Sequence, residues 1–76
     1  MRRMMLLRKK LGLTQQTLAA LTGLSRSTIV NFETGKREPR LGALERIADA
    51  LGVSVSELIA PLDLPQPQGT ETGGAA

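Results

Sequence analysis

Arg26 and Asn31 carry the most specific polar chemistry in this 76-residue sequence. Arg26 offers a planar fork of five N–H donors, which suits the O6 and N7 acceptors of guanine. Asn31 offers a donor beside an acceptor, which suits N6 and N7 of adenine. Ser27 is a sequence-tolerant hydroxyl, and Val30 matches a thymine methyl. All of this chemistry is non-covalent. With no His and no Cys, a Ser–His or Cys–His catalytic pair cannot be built, and zinc, haem and iron–sulfur centres lose their usual ligands. We therefore expect no enzyme, no metal and no cofactor. Having no Trp, no Tyr and one Phe, the chain also lacks aromatic platforms for stacking single-stranded bases. No disulfide is possible, and no apolar run approaches the roughly 20 residues of a membrane span.

Charge is distributed unevenly. Residues 1–40 hold nine bases against two acids, whereas residues 41–60 hold Arg46 against Glu45, Asp49 and Glu57. Beyond residue 60 the only charges are Asp63 and Glu71. A basic front on a small domain suits a polyanion, nucleic acid first and an anionic membrane second; a merely solvated surface reads the same way.

These side chains need elements to position them, and the spacing predicts five short helices. The opening MRRMMLLRKKL is too short in its apolar stretch to be a signal peptide. It reads as a helix with Met4, Leu7 and Leu11 on one face, Arg8 and Lys9 beside or opposite them, and Gly12 as its stop. Thr14 caps a second helix over 15–22, with Leu18, Leu21 and Thr22 inward, Ala19 beside Leu18, and Gly23 at its end. Ser25 caps a third over 26–33, with Ile29, Phe32 and Thr28 inward, closed by Gly35. By the 3.6-residue period its outward face is then Arg26, Ser27, Val30, Asn31 and Thr34. A basic loop, 35–40, follows. Leu41, Leu44, Ile47, Ala48 and Leu51 make a fourth apolar stripe ended by Gly52, and Gly42 weakens its first turn. Ser54 and Glu57 form a capping box for a short fifth helix carrying Leu58 and Ile59 and closed by Pro61. The Pro/Gly-rich stretch 61–76 is expected to be mostly disordered, leaving residues 1–60 as the domain.

Ala19, Gly23 and Ile29 form a more specific pattern. Two helices joined at a steep angle need a small residue where they cross, a turn residue tolerant of positive φ, and a branched apolar residue pointing into the wedge. Ala19, Gly23 and Ile29 supply these in turn, and Thr14 and Ser25 supply caps at the matching distance. With Gly12-Leu13-Thr14-Gln15, Leu18-Ala19, Gly23-Leu24-Ser25, Phe32-Glu33, Gly35-Lys36, Pro39, Ile47-Ala48 and Leu51-Gly52-Val53, the chain resembles the phage-repressor-like (Cro/C1, XRE-type) helix-turn-helix family over about residues 6–60. Three positions depart from the family pattern. Thr17 stands where Glu often completes a capping box, Arg40 where an N-cap Ser or Thr is usual, and Phe32 where Trp is frequent.

The resemblance implies an all-α, compact five-helix bundle whose third helix enters the major groove of double-stranded DNA. It places Arg26, Ser27 and Asn31 at base-reading positions, though Arg26 also suits a phosphate, and the outward face adds Val30 to them as a base contact. It gives a phosphate contact to Gln15 at a helix N-terminus; position and charge add Ser25 and Thr34, Lys36, Arg37 and Arg40 in the loop, and Lys9 and Lys10 as further expected phosphate contacts. The loop cations, Lys9, Lys10, Arg2 and Arg3 read equally as solvated charges. The matching Gln also braces the recognition helix in the family, and Arg8 with Glu33 matches an ion pair tying the first helix to the end of the third.

The function expected is sequence-specific DNA binding by a small transcriptional regulator, a repressor or autoregulator, in the cytoplasm on the nucleoid. One small module limits affinity, so a homodimer on a pseudo-palindromic site is expected, joined through Val55, Leu58, Ile59, Leu62 and Leu64 unless these only cap the core. The alternative is an antitoxin or other protein-interaction module on the same scaffold, with a toxin or other protein as partner. A membrane-binding first helix leaves the Ala19, Gly23, Ile29 wedge unexplained.

Overall fold

The computed structural model describes residues 1–60. The expected disorder of 61–76, and the dimer roles given to Leu62 and Leu64, lie outside the described residues. Five α-helices follow in order: α1 Arg2–Lys10, α2 Gln15–Thr22, α3 Arg26–Thr34, α4 Leu41–Leu51 and α5 Val55–Leu58. The described residues contain no strand.

Local chemistry accounts for most of the helix boundaries. Thr14, Ser25 and Ser54 have extended backbones, and their hydroxyls accept from the N–H groups of Thr17, Thr28 and Glu57. Each satisfies one donor that the helix start leaves unpaired. Only half of the expected Ser54–Glu57 box forms, because the Glu57 carboxylate faces Arg3 instead, 3.7 Å from its Nη2. Arg3 Nε also donates to Glu57 O at 3.2 Å, so Arg3 ties α1 to α5. Arg40 makes no side-chain cap, as its replacement of Ser or Thr predicts, and α4 nevertheless begins at Leu41 with Gly42 in its first turn.

Three helix ends share one device. The N–H of the apolar residue after the glycine donates to a carbonyl five residues back: Leu13 to Arg8, Leu24 to Ala19 and Val53 to Ala48, at 3.0–3.2 Å. Leu13, Leu24 and Val53 then rest, half-buried, against the core. This is the Schellman ending with its apolar contact. Gly23 must take φ +73 to make it, a backbone conformation that costs other residues energy.

Each helix contributes one fully buried large side chain: Met4, Leu18, Ile29, Ile47 and Leu58. Burying each stabilises the fold by roughly 1.5–3 kcal/mol. Ala19, Phe32, Ala48 and Leu51 complete the core. Ala19 on α2 and Ile29 on α3 are both buried in this core, and α2 packs on α3. α2 also packs on α4, α4 on α5, and α1 on α3.

Three expected inward residues point outward. Leu11, Leu21 and Leu41 are 53%, 58% and 63% exposed. On α1 the buried face runs through Met4 and Arg8, so Arg8 occupies the core side and Leu11 is turned away. On α2 the buried face is Leu18, Ala19 and Thr22, the side that meets α3 and α4, and Leu21 falls on the uncovered flank. Leu41 lies in the first turn of α4, whereas the buried face begins at Ile47 and Ala48, nearly two turns later, with Leu44 half-buried. Thr22 is buried without penalty, because its hydroxyl donates to Leu18 O at 2.8 Å.

Candidate nucleic-acid interface

The outward face of α3 comprises Arg26 and Ser27, both exposed, with Val30 and Asn31 half-buried and Thr34 exposed. Its opposite face, Ile29, Phe32 and Glu33, is buried. The helix is therefore anchored along one side, and its polar side is open at Arg26, Ser27 and Thr34 and partly covered between them at Val30 and Asn31. Ser25 Oγ takes the N–H of Thr28 at 3.1 Å and lies 2.8 Å from the Thr28 hydroxyl and 3.2 Å from that of Ser27. The Thr34 hydroxyl donates to Val30 O at 2.9 Å, so its proton is already engaged within the helix.

A buried polar cluster fixes the far end of α3. Arg8 Nε and Nη2 donate to the two Glu33 carboxylate oxygens at 2.6 and 3.1 Å. Arg8 Nη1 donates to Leu13 O at 2.8 Å, and Gln15 Nε2 donates to Glu33 Oε1 at 3.1 Å. Glu33 is thus held from α1 and from the first residue of α2 at once. Met1 N adds bonds to Phe32 O at 2.6 Å, which also accepts from the Gly35 N–H, and to Glu33 O at 3.3 Å, both in the last turn of α3. Nothing in the sequence signals these last contacts, which join residues 31 and 32 positions apart.

Lys36, Arg37 and Arg40 are exposed in the loop after α3, and Lys9 and Lys10 are exposed at the end of α1. Among the described residues only Arg3 and Arg8 form ion pairs, which leaves these cations without carboxylate partners. Arg37 is placed more closely than its loop position suggests. Its N–H donates to Asn31 O at 3.2 Å, and its guanidinium lies 6.0 Å over the centroid of the Phe32 ring. Arg46 on α4, not singled out in the sequence, reaches over the turn: its Nη1 lies 3.8 Å from where a Cβ on Gly23 would sit.

The expected dimer surface needs correction at one residue. Leu58 is fully buried and belongs to the core, because α5 packs that side chain against α4. Val55 is half-buried against the same cluster, and Ile59 is 56% exposed.

Residues 4–58 match the family model described as helix-turn-helix. The chain is 42% identical over 57 residues to the HTH-type transcriptional regulator y4dJ of Sinorhizobium fredii, covering 75% of this chain and 74% of that protein. It is 42% identical over 53 residues to the immunity repressor protein of Bacillus phage phi105, covering 70% of this chain and 37% of the repressor. Among solved structures it is similar to the restriction-modification controller protein C.AhdI from Aeromonas hydrophila, with a TM-score of 0.74 and 40% identity over 76% of this chain and 88% of that one. The wedge of Ala19, Gly23 and Ile29, the open polar face of α3 and these likenesses agree: the chain belongs to the XRE-type (Cro/C1-like) helix-turn-helix family of non-enzymatic, DNA-binding transcription regulators.

Proposed function

We propose that this protein is a sequence-specific repressor or autoregulator that seats α3 in the major groove and reads bases through Arg26, Ser27, Val30 and Asn31. One observation carries the reading: α3 buries Ile29, Phe32 and Glu33 and leaves the opposite, polar side open. Arg26 and Ser27 stand in the first turn of α3, and in helix-turn-helix proteins the N-terminal residues of the recognition helix meet base edges. Ser25 and Gln15, at the starts of α3 and α2, supply N–H-rich phosphate sites. Lys36, Arg37, Arg40, Lys9 and Lys10 flank them with positive charge that would grip the backbone on either side of the groove. Gln15 uses one amide N–H on Glu33 and keeps a second for a phosphate, so it braces α3 while touching DNA. Thr34 can reach a phosphate only by releasing Val30 O.

The likeness to a phage immunity repressor and to a restriction-modification controller supports regulation by occupancy of DNA. The protein acts as a homodimer on a pseudo-palindrome, with half-sites one helical turn, about 34 Å, apart. Ile59, with Val55 at its edge, is the described part of the dimer contact. The site of action is the cytoplasmic nucleoid; among the described residues no helix is long and apolar enough to cross a membrane.

Selection of bound duplexes from a random pool tests the reading. The expected product is one motif repeated with twofold symmetry. Recovery of duplexes sharing no motif would reduce the protein to a non-specific polyanion binder.

A further inference from the structure

The end of α3 differs from three other helix ends of this fold. At Gly12, Gly23 and Gly52 the following residue is apolar, and it closes the helix by pressing on the core. At Gly35 the following residue is Lys36, which is exposed and cannot do this. The chain instead continues to Arg37, whose N–H bonds Asn31 O, six residues back. Its guanidinium lies over Phe32, whose side chain is buried in the core. A cation held over an aromatic face is a directional contact, and the flat guanidinium makes it better than an ammonium does.

We propose that Arg37 is a positioning residue that replaces the missing apolar closure of α3, clamping the basic loop onto the last turn of the recognition helix through Phe32 and Asn31. The inference rests on the DNA-binding reading of α3 and adds a coupling to it. Asn31 is a proposed base reader, and its carbonyl is the acceptor of the clamp. Loop cations that grip phosphate therefore set the register of the base-reading face, rather than swinging independently of it. Phe32 has two duties, filling the core beneath and carrying a guanidinium at its rim.

The test uses the full chain in five variants: Phe32→Leu, Arg37→Ala, the double variant, Phe32→Trp and Arg37→Lys. In the free protein, NMR should show the Arg37 δ-protons shifted upfield by the ring and the Arg37 amide slow to exchange. Phe32→Leu should abolish the shift, and Phe32→Trp should keep it. On a selected duplex, with binding corrected for the folded fraction, Arg37→Lys should weaken affinity about threefold while leaving the salt slope unchanged. Phe32→Leu should weaken it by about the same factor in the parent and not at all when Arg37 is already Ala. Strictly multiplicative effects of Phe32→Leu and Arg37→Ala would overturn the clamp and leave Arg37 as an independent phosphate contact, with the DNA-binding reading intact. Were no duplex bound at all, that reading would fail, and the δ-proton shift and amide exchange would still decide the clamp.

Discussion

Glu33 and Arg26 show how differently single residues contribute at the two faces of α3. Glu33 is buried, and three N–H donors from Arg8 and Gln15 meet its carboxylate. Removing one partner of such a pair strands the other, so Arg8→Ala should destabilise the fold by about 3–5 kcal/mol in urea unfolding. Replacing both, as Arg8→Met with Glu33→Leu, should cost far less, because neither charge is then left alone. A double replacement as damaging as the single one would show that the geometry of the pair, not the stranded charge, holds α3. Arg26 is exposed and should matter little for stability. Arg26→Ala is expected to cost about 1–3 kcal/mol on the selected DNA and to relax preference at one base pair. Lys36→Ala should weaken selected and scrambled duplexes alike and lower the salt slope by about one unit. Equal behaviour of the two variants on both duplexes would show that the division into readers and grips is wrong. The pairing of Arg8 with Glu33 was legible only through family resemblance, because the period of α1 puts an arginine on the face a core residue should take.

At the scale of the element, stability lies largely in the helix ends. Ser25 meets the Thr28 N–H at 3.1 Å, and Ser25→Ala should cost about 1 kcal/mol. Gly23 separates backbone conformation from space. A Cβ there meets only Arg46 Nη1, at 3.8 Å, so no clash opposes alanine, and φ +73 alone does. Gly23→Ala should therefore destabilise by roughly 1–2 kcal/mol, lowering Tm by several degrees while leaving the core packing in place. An unchanged Tm would mean that the turn relaxes and that the angle between α2 and α3 is less fixed than it looks. Caps and glycine stops were the most legible features of the chain, because they act over three to five residues. The apolar stripes misled at Leu11, Leu21 and Leu41, where the helical period is satisfied but no neighbouring helix lies over that flank.

Across the whole molecule, the five buried anchors, one per helix, make the fold a single unit, and the dimer remains the proposed working form. Ile59→Glu should leave the monomer folded, because Ile59 is 56% exposed, while shifting sedimentation toward monomer and weakening DNA binding. Leu58→Ala would instead unfold the chain by about 2–5 kcal/mol, since Leu58 is core. A parent that sediments as a monomer at high micromolar concentration, with and without DNA, would remove the dimer from the reading. The sequence by itself determined the helices, their caps, the tight turn at Gly23 and the residue types of the open α3 face, since each depends on neighbours a few positions apart. Only the tertiary structure decided which leucines are covered, that Leu58 is spent inside, that Arg3 serves α5, and that Arg37 lies on Phe32. Those outcomes depend on which helix lies against which, and the helical period leaves that choice open.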